Sequence, residues 1–297
     1  MESIREMGMD VSRPRWPAVM VTLGSLVSAA RGVSQTPPIK SYGFDITIPD
    51  TGNAIYGMAN LTLRSGTPDT LRLSLIGMSV DSVADAPTEC CGSPIPFSYD
   101  GLVLNLVLTA RAKALHRLSV FYHGAPQDGL IIRTNARGRR SVFADNWPER
   151  ARYWLPTFDR PNGKAPVVFF VRVPSGWQVV SNGELLDRPD PSRRVSFWMW
   201  TESQPIPTYT MVLGAGDFTV STHRPIIHGI DTIPITVWTY PEDSAFADSG
   251  PFRQATEIVE TMERLVGPFP YEKLAHDRPP QRDPLSLAAA ERLRPAL

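Results

Sequence analysis

From Ser41 onward, apolar side chains recur at every second position, the spacing that lines one face of a β-strand. Tyr42, Phe44, Ile46 and Ile48 form a first row, and Ile55, Ala59, Leu61 and Leu63, with Gly57 among them, form a second. The intervening Pro49-Asp50-Thr51-Gly52-Asn53 has turn chemistry, so the two rows predict a hairpin. Further apolar runs at 71–75, 102–108, 118–122, 167–173, 195–201 and 209–213 are mostly separated by Gly, Pro, Asn or Asp. No segment before residue 250 carries a helical period. The expected fold is therefore mainly β, built of stacked antiparallel sheets.

The period changes at Pro251, which suits a first helical turn, with Ser249 and Gly250 placed to cap it. Phe252, Ala255, Ile258, Val259, Met262 and Leu265 then recur at three- and four-residue steps and predict an amphipathic helix with one buried face, stopped by Gly267 and Pro268. Because this helix follows the strand-like Ile235-Thr236-Val237-Trp238-Thr239, a second domain is expected to begin here. After Leu274 the chain turns polar and proline-rich, then runs to its end mainly in Ala, Arg and Leu with a single Glu at 291. Two readings of 276–297 stand: a disordered tail, or residues read from GC-rich codons in a shifted frame.

Composition narrows the function classes. With 42% hydrophobic residues the 297-residue chain can build a substantial core. Its 30 basic and 30 acidic residues cancel, which gives no electrostatic reason to expect nucleic acid as a partner. The 29 prolines are about twice the usual share of roughly 5% and favour short strands and turns over long helices. Cys90 and Cys91 are the only cysteines, too few for a cysteine zinc site, and as neighbours they are poorly placed to bridge each other. At the start, Arg13 and Arg15 precede an apolar run from Trp16 to Ala30 that closes on small residues, as in a secretory signal. The run is too short for a comfortable membrane span, so no integral span is expected in the mature chain. The expected location is secreted or periplasmic, with membrane association if the leader is retained.

Between Arg150 and Leu185 several ordered pieces stand out. Phe158-Asp159-Arg160-Pro161 and Lys164-Ala165 are followed by Val173-Pro174 and then Ser181-Asn182-Gly183. Downstream lie Glu202-Ser203-Gln204-Pro205-Ile206-Pro207-Thr208-Tyr209, Gly216-Asp217-Phe218, and Gly267-Pro268-Phe269-Pro270-Tyr271-Glu272-Lys273-Leu274. In order and spacing this set, covering residues 40–275, resembles the aminopeptidase N family of zinc metallopeptidases, the gluzincins. Each piece also reads as turn chemistry, so the matches point first to architecture rather than to reacting groups.

The resemblance implies an N-terminal β domain at 37–221 and an incomplete start of the catalytic domain at 222–275, between the signal peptide or disordered leader at 1–36 and the disordered or frame-shifted tail at 276–297 that the residues themselves predict. It also implies zinc and a peptide substrate for a complete family member. Zinc there is held by a His-Glu-x-x-His helix whose two histidines share one face, while a Gly-x-Met-Glu-Asn strand grips the substrate ammonium. Neither motif occurs in this sequence, and none of its five histidines is followed by Glu. No catalytic or metal-binding residue is therefore expected in the chain, and the missing catalytic domain is expected to pack on the C-terminal helix.

One contribution to the substrate pocket is expected. Family members lend a Gln-x-Glu pair from a position that corresponds, counting back from Asp159, to Asp145 and Trp147. Neither residue type matches, yet Asp145 could attract an ammonium group and Trp147 could wall an apolar pocket. The alternative is a capped loop with a packed tryptophan. For the whole chain, the alternative is a non-catalytic binding or scaffolding β-sandwich protein.

Overall fold

The computed structural model describes residues 37–85, 92–135, 137–187, 195–245 and 250–277. The leader, Cys90, Cys91 and the tail from residue 278 lie outside the described residues.

The predicted hairpin is present as β1 (Ile39–Thr47) and β2 (Ile55–Leu63), paired antiparallel. Together with β4 (Ser79–Ala84), β7 (Arg117–Gly124), β10 (Ala165–Pro174), β12 (Glu184–Asp187) and β13 (Val195–Ile206) they form a seven-stranded sheet of order β12-β13-β10-β1-β2-β7-β4. β3 (Thr70–Ser74), β5 (Phe97–Tyr99) and β6 (Val103–Val107) make a three-stranded sheet of order β3-β6-β5. A four-stranded sheet of order β11-β14-β9-β8 uses β8 (Leu130–Thr134), β9 (Arg140–Ala144), β11 (Gln178–Ser181) and β14 (Leu213–Gly216). The last sheet, β15-β16-β17, uses β15 (Thr219–His228), β16 (Asp231–Thr239) and β17 (Leu274–Asp277). The strand pairs are antiparallel except β1 with β10 and β16 with β17.

The two-residue period of the sequence is the period of burial. In β10, Ala165, Val167, Phe169, Val171 and Val173 are buried while their neighbours are partly exposed, and β1 buries Tyr42, Phe44 and Ile46 in the same way. Phe44 and Phe169, on adjacent parallel strands, bring their rings to 5.5 Å, and Trp154 stacks on Phe169 at 6.3 Å. Burying each such side chain stabilises the fold by about 1.5–3 kcal/mol relative to exposure. One continuous core cluster draws on residues of the seven-stranded, four-stranded and β3-β6-β5 sheets.

Three local expectations need correction. A short helix, α1 (Ala110–Leu115), lies ahead of residue 250; the Thr109 hydroxyl caps it by accepting the Ala112 N–H at 3.1 Å, and His116 ends it at φ 51°. Only Ala112 of this helix is buried, so it has no apolar stripe to announce it. The 209–213 run is not a strand: a 3-10 turn at Thr208–Thr210 delays the strand to β14. The C-terminal helix forms as α2 (Ala255–Val266) after a 3-10 turn at Pro251–Gln254, but its apolar face is only partly covered.

Ala255 is buried, and Val259 packs beside it against Ile226, Ile233 and Ile235, whereas Ile258, Met262 and Leu265 are half or more exposed. The small β15-β16-β17 sheet is too narrow to cover a face that wide. Replacing Leu265, 74% exposed, with serine is accordingly expected to change stability by less than about 0.5 kcal/mol in urea denaturation. Among the described residues no helix is long and apolar enough to cross a membrane.

Candidate functional site

The loop after β9 holds both sequence-predicted site residues. It is built around Asn146, which is buried and uses both the nitrogen and the oxygen of its side-chain amide. Its Nδ2 donates to the Met211 carbonyl at 2.5 Å, and its Oδ1 accepts the Trp154 indole N–H at 2.8 Å. Its own carbonyl accepts the Arg150 N–H at 2.8 Å. Arg150 clamps the loop from the other side: Nε donates to the Trp147 carbonyl at 2.6 Å, and Nη2 pairs with Asp145 Oδ1 at 2.6 Å. The Trp147–Pro148 peptide bond is cis.

Asp145 and Trp147 therefore stand on one braced loop but present different chemistry. The Asp145 carboxylate is shared with Arg150, which lessens the charge it offers to an incoming ammonium. Trp147 points outward, 63% exposed, and meets Tyr209 edge-on with ring centroids 5.0 Å apart. The result is a braced, exposed aromatic pair, suited to flank an apolar or planar group. Glu149 adds an exposed carboxylate paired with Arg152 at 3.0 Å.

The Asp159 turn lies behind this loop and supports it. Asp159, 8% exposed, accepts from Arg152 Nε at 2.7 Å and from the Thr208 hydroxyl at 2.5 Å. Thr208 precedes Tyr209, so one carboxylate links the turn to the residue on which Trp147 rests. Phe158 N–H donates to the Tyr42 hydroxyl at 3.1 Å, and Ser74 N–H donates to the Thr157 carbonyl at 2.8 Å. These contacts agree with an architectural reading of Asp159. Sequence inspection alone missed Tyr209, Asn146 and Arg150 as parts of the site; the one local signal was the density of Asn, Trp and Arg between Asp145 and Trp154.

The residues do not fit a catalytic zinc centre. Among the described residues no group of three or more His, Cys, Asp or Glu side chains is placed to hold a metal ion. His123 pairs with Asp81 at 2.8 Å, His228 with Glu263 at 2.7 Å, and His116 ends α1. His276 meets Phe252 in a tilted ring contact at 4.8 Å, and burial, together with nearby His223, holds its imidazole below the ordinary range. None of these approaches the two imidazoles and a carboxylate that a hydrolytic zinc site converges.

Comparison with known proteins bears on the same residues. Residues 98–210, which include the Asp145–Trp147 loop, the Asp159 turn and Tyr209, match the family profile of the peptidase M1 N-terminal domain. No curated protein matches the sequence. Among solved structures, the M1 zinc metallopeptidase from Deinococcus radiodurans superposes with a TM-score of 0.68 at 20% identity. A variant of a two-domain M1 zinc metallopeptidase bound to L-arginine gives 0.69 at 19%. A variant of the Deinococcus radiodurans enzyme bound to a Tyr-Ser-Ala substrate gives 0.68 at 19%. Each comparison covers 83% of this chain but 57% of the solved one, so the sequence spans little more than half the length of these neighbours.

Proposed function

We propose, from the match of residues 98–210 to the peptidase M1 N-terminal domain, that the chain is the N-terminal part of an exported zinc metalloaminopeptidase. In complete form such a protein removes residues from the amino end of peptides. The observation that carries this reading is the family match across the site loop, in a chain whose fold follows M1 zinc metallopeptidases over 83% of its length. In this proposal the chain supplies no zinc ligand and is inactive alone. The zinc-binding helix and the ammonium-gripping strand belong to residues beyond those in this sequence.

The chain's own contribution is to shape the pocket. Trp147, braced on Tyr209, walls the site for the substrate's first side chain, and the Arg150-paired Asp145 adds a weak anionic edge. The exposed row of Ile258, Met262 and Leu265 on α2 is the surface that the remainder of the catalytic domain covers. The apolar leader directs export to the periplasm or beyond, and, if retained, tethers the protein to the membrane.

Purified chain assayed with aminoacyl chromogenic substrates and added zinc is expected to show no turnover above background; zinc-dependent turnover would overturn the proposal. Reading the coding sequence past the Leu274 codon is the companion test, and absence of His-Glu-x-x-His from every frame counts against it. In a form of the protein that carries that motif, Trp147→Ala is expected to raise KM about three- to tenfold with little change in kcat. An unchanged KM would remove Trp147 from the pocket.

A further inference from the structure

The segment leading from α2 into β17 is fastened to the β domain by three ionisable side chains that the proposed function does not use. Glu202, near the end of β13, is 3% exposed, and its Oε1 accepts the Gln204 N–H at 2.9 Å. Glu272 Oε1 accepts the Ser203 N–H at 3.1 Å and the Ser203 hydroxyl as well. Glu272 Oε2 is buried without a hydrogen-bond partner among the described residues. Lys273 Nζ donates to the Gly183 carbonyl at 2.7 Å and to that of Ser181, and it lies 4.3 Å from the centroid of the Trp200 ring. Glu272, Lys273, Trp200 and Gly183 line a groove of about 1250 Å³.

We propose that Glu202, Glu272 and Lys273 form a proton-linked latch that fixes segment 267–273, and with it β17, to the β11–β12 turn and the end of β13. The three groups do not favour full ionisation together. Burial, with the neighbouring Glu272 carboxylate, pushes Glu202 up to about 7, and a proton on Glu202 is shared with the Glu272 carboxylate. Burial also pushes the Lys273 ammonium down to about 7, against the opposing pull of Glu202 and Glu272. For Glu272 burial acts upward, but hydrogen bonds from Ser203 and Glu202 outweigh it and keep the carboxylate below its ordinary range. The charged groups acting on Lys273 are thus Glu202 from β13 and Glu272 from its own segment, while the β11–β12 turn meets it with carbonyl oxygens.

The sign of the pH dependence follows. In the open latch both groups are solvated and titrate near their ordinary values of 4.5 and 10.5. Between 4.5 and about 7, closing takes up a proton at Glu202, so closure weakens as pH rises. Between about 7 and 10.5, closing releases a proton from Lys273, so closure strengthens as pH rises. The latch is therefore weakest near neutrality and tighter on either side. This inference does not depend on the peptidase proposal, because it concerns only contacts within the chain.

Hydrogen–deuterium exchange of the whole chain from about pH 5 to about pH 9, corrected for intrinsic exchange, tests it. Protection of residues 267–277 is expected to pass through a minimum near neutrality. Glu202→Gln is expected to remove the rise toward acid and keep the rise toward alkali. Lys273→Met is expected to remove the alkaline rise and to lower protection about tenfold or more. Protection of β1 and β10 is expected to stay unchanged in both variants. A profile without a minimum in the unaltered chain, or a Glu202→Gln profile identical to it, would overturn the latch. Should Lys273→Met lose protection in every strand, the Glu202→Gln profile alone decides the matter.

Discussion

Replacing Gly183 with alanine is expected to destabilise the fold by more than about 4 kcal/mol, enough to leave little folded protein at physiological temperature. Gly183 ends the Ser181-Asn182-Gly183 turn, where the chain leaves β11 in one sheet for β12 in another. Its φ is +74°, a left-handed conformation that costs a residue with a Cβ about 1 kcal/mol. Crowding costs more: a Cβ built there would overlap the Thr201 carbonyl and crowd the Glu202 Cα, both main-chain atoms that cannot swing away. The Asn182 amide pins the same turn, donating to the Thr210 carbonyl at 2.9 Å and accepting the Val212 N–H at 2.7 Å. The turn therefore cannot relax without breaking those bonds. Gly176→Ala is the internal comparison, because Gly176 has φ +87° but open space around it, and a loss of only about 1 kcal/mol is expected. Thermal and urea denaturation of the two variants checks both figures; similar losses at the two positions would show that conformation rather than crowding sets the cost.

What the sequence revealed and what it hid divide along a physical line. Rows such as Tyr42-Phe44-Ile46 and Val167-Phe169-Val171 were legible because one face of each strand is buried, which forces a period of two. Which strands pair was not legible: the parallel register of Tyr42 with Val167 joins segments far apart in the chain, and nothing local specifies it. The α2 face was legible as a helix, and the resemblance anticipated an uncovered surface on it, but which side chains stay bare was not legible, since periodicity reports apolar residues and not which of them a neighbour covers. The site shows the same division. Counting back from Asp159 located Asp145 and Trp147, yet the Tyr209 ring that braces Trp147 comes from the 3-10 turn after β13. Lys273 reads in the sequence as an ordinary solvated charge, and only folding places it under two carbonyls and over Trp200.

Asn146→Ala is expected to lower stability by about 3 kcal/mol and to loosen the site loop while the sheets stay intact. The side chain joins two buried groups, the Trp154 indole N–H and the Met211 carbonyl. Removing it leaves the Trp154 indole N–H without its acceptor inside a residue that is 0% exposed, and takes the Nδ2 donor from the Met211 carbonyl, which is likewise buried. Each buried group left unsatisfied costs about 1–3 kcal/mol, because it surrendered water on folding and receives nothing in return. Trp154 still packs on Phe169, so the core cluster keeps its aromatic stack and the protein remains folded. Asp145 and Trp147, by contrast, flank the deleted anchor directly and are left with contacts that include Arg150, to the Asp145 carboxylate and to the Trp147 carbonyl, and the Asp145 N–H to the Gly129 carbonyl at 2.7 Å. Trp147 should then lose its fixed edge-on contact with Tyr209, seen as a red shift and broadening of its fluorescence against a Trp147→Phe reference. A fall in stability without that spectral change would mean that the contacts other than Asn146, those of Arg150 among them, suffice to hold the loop, and that Asn146 serves the core rather than the site.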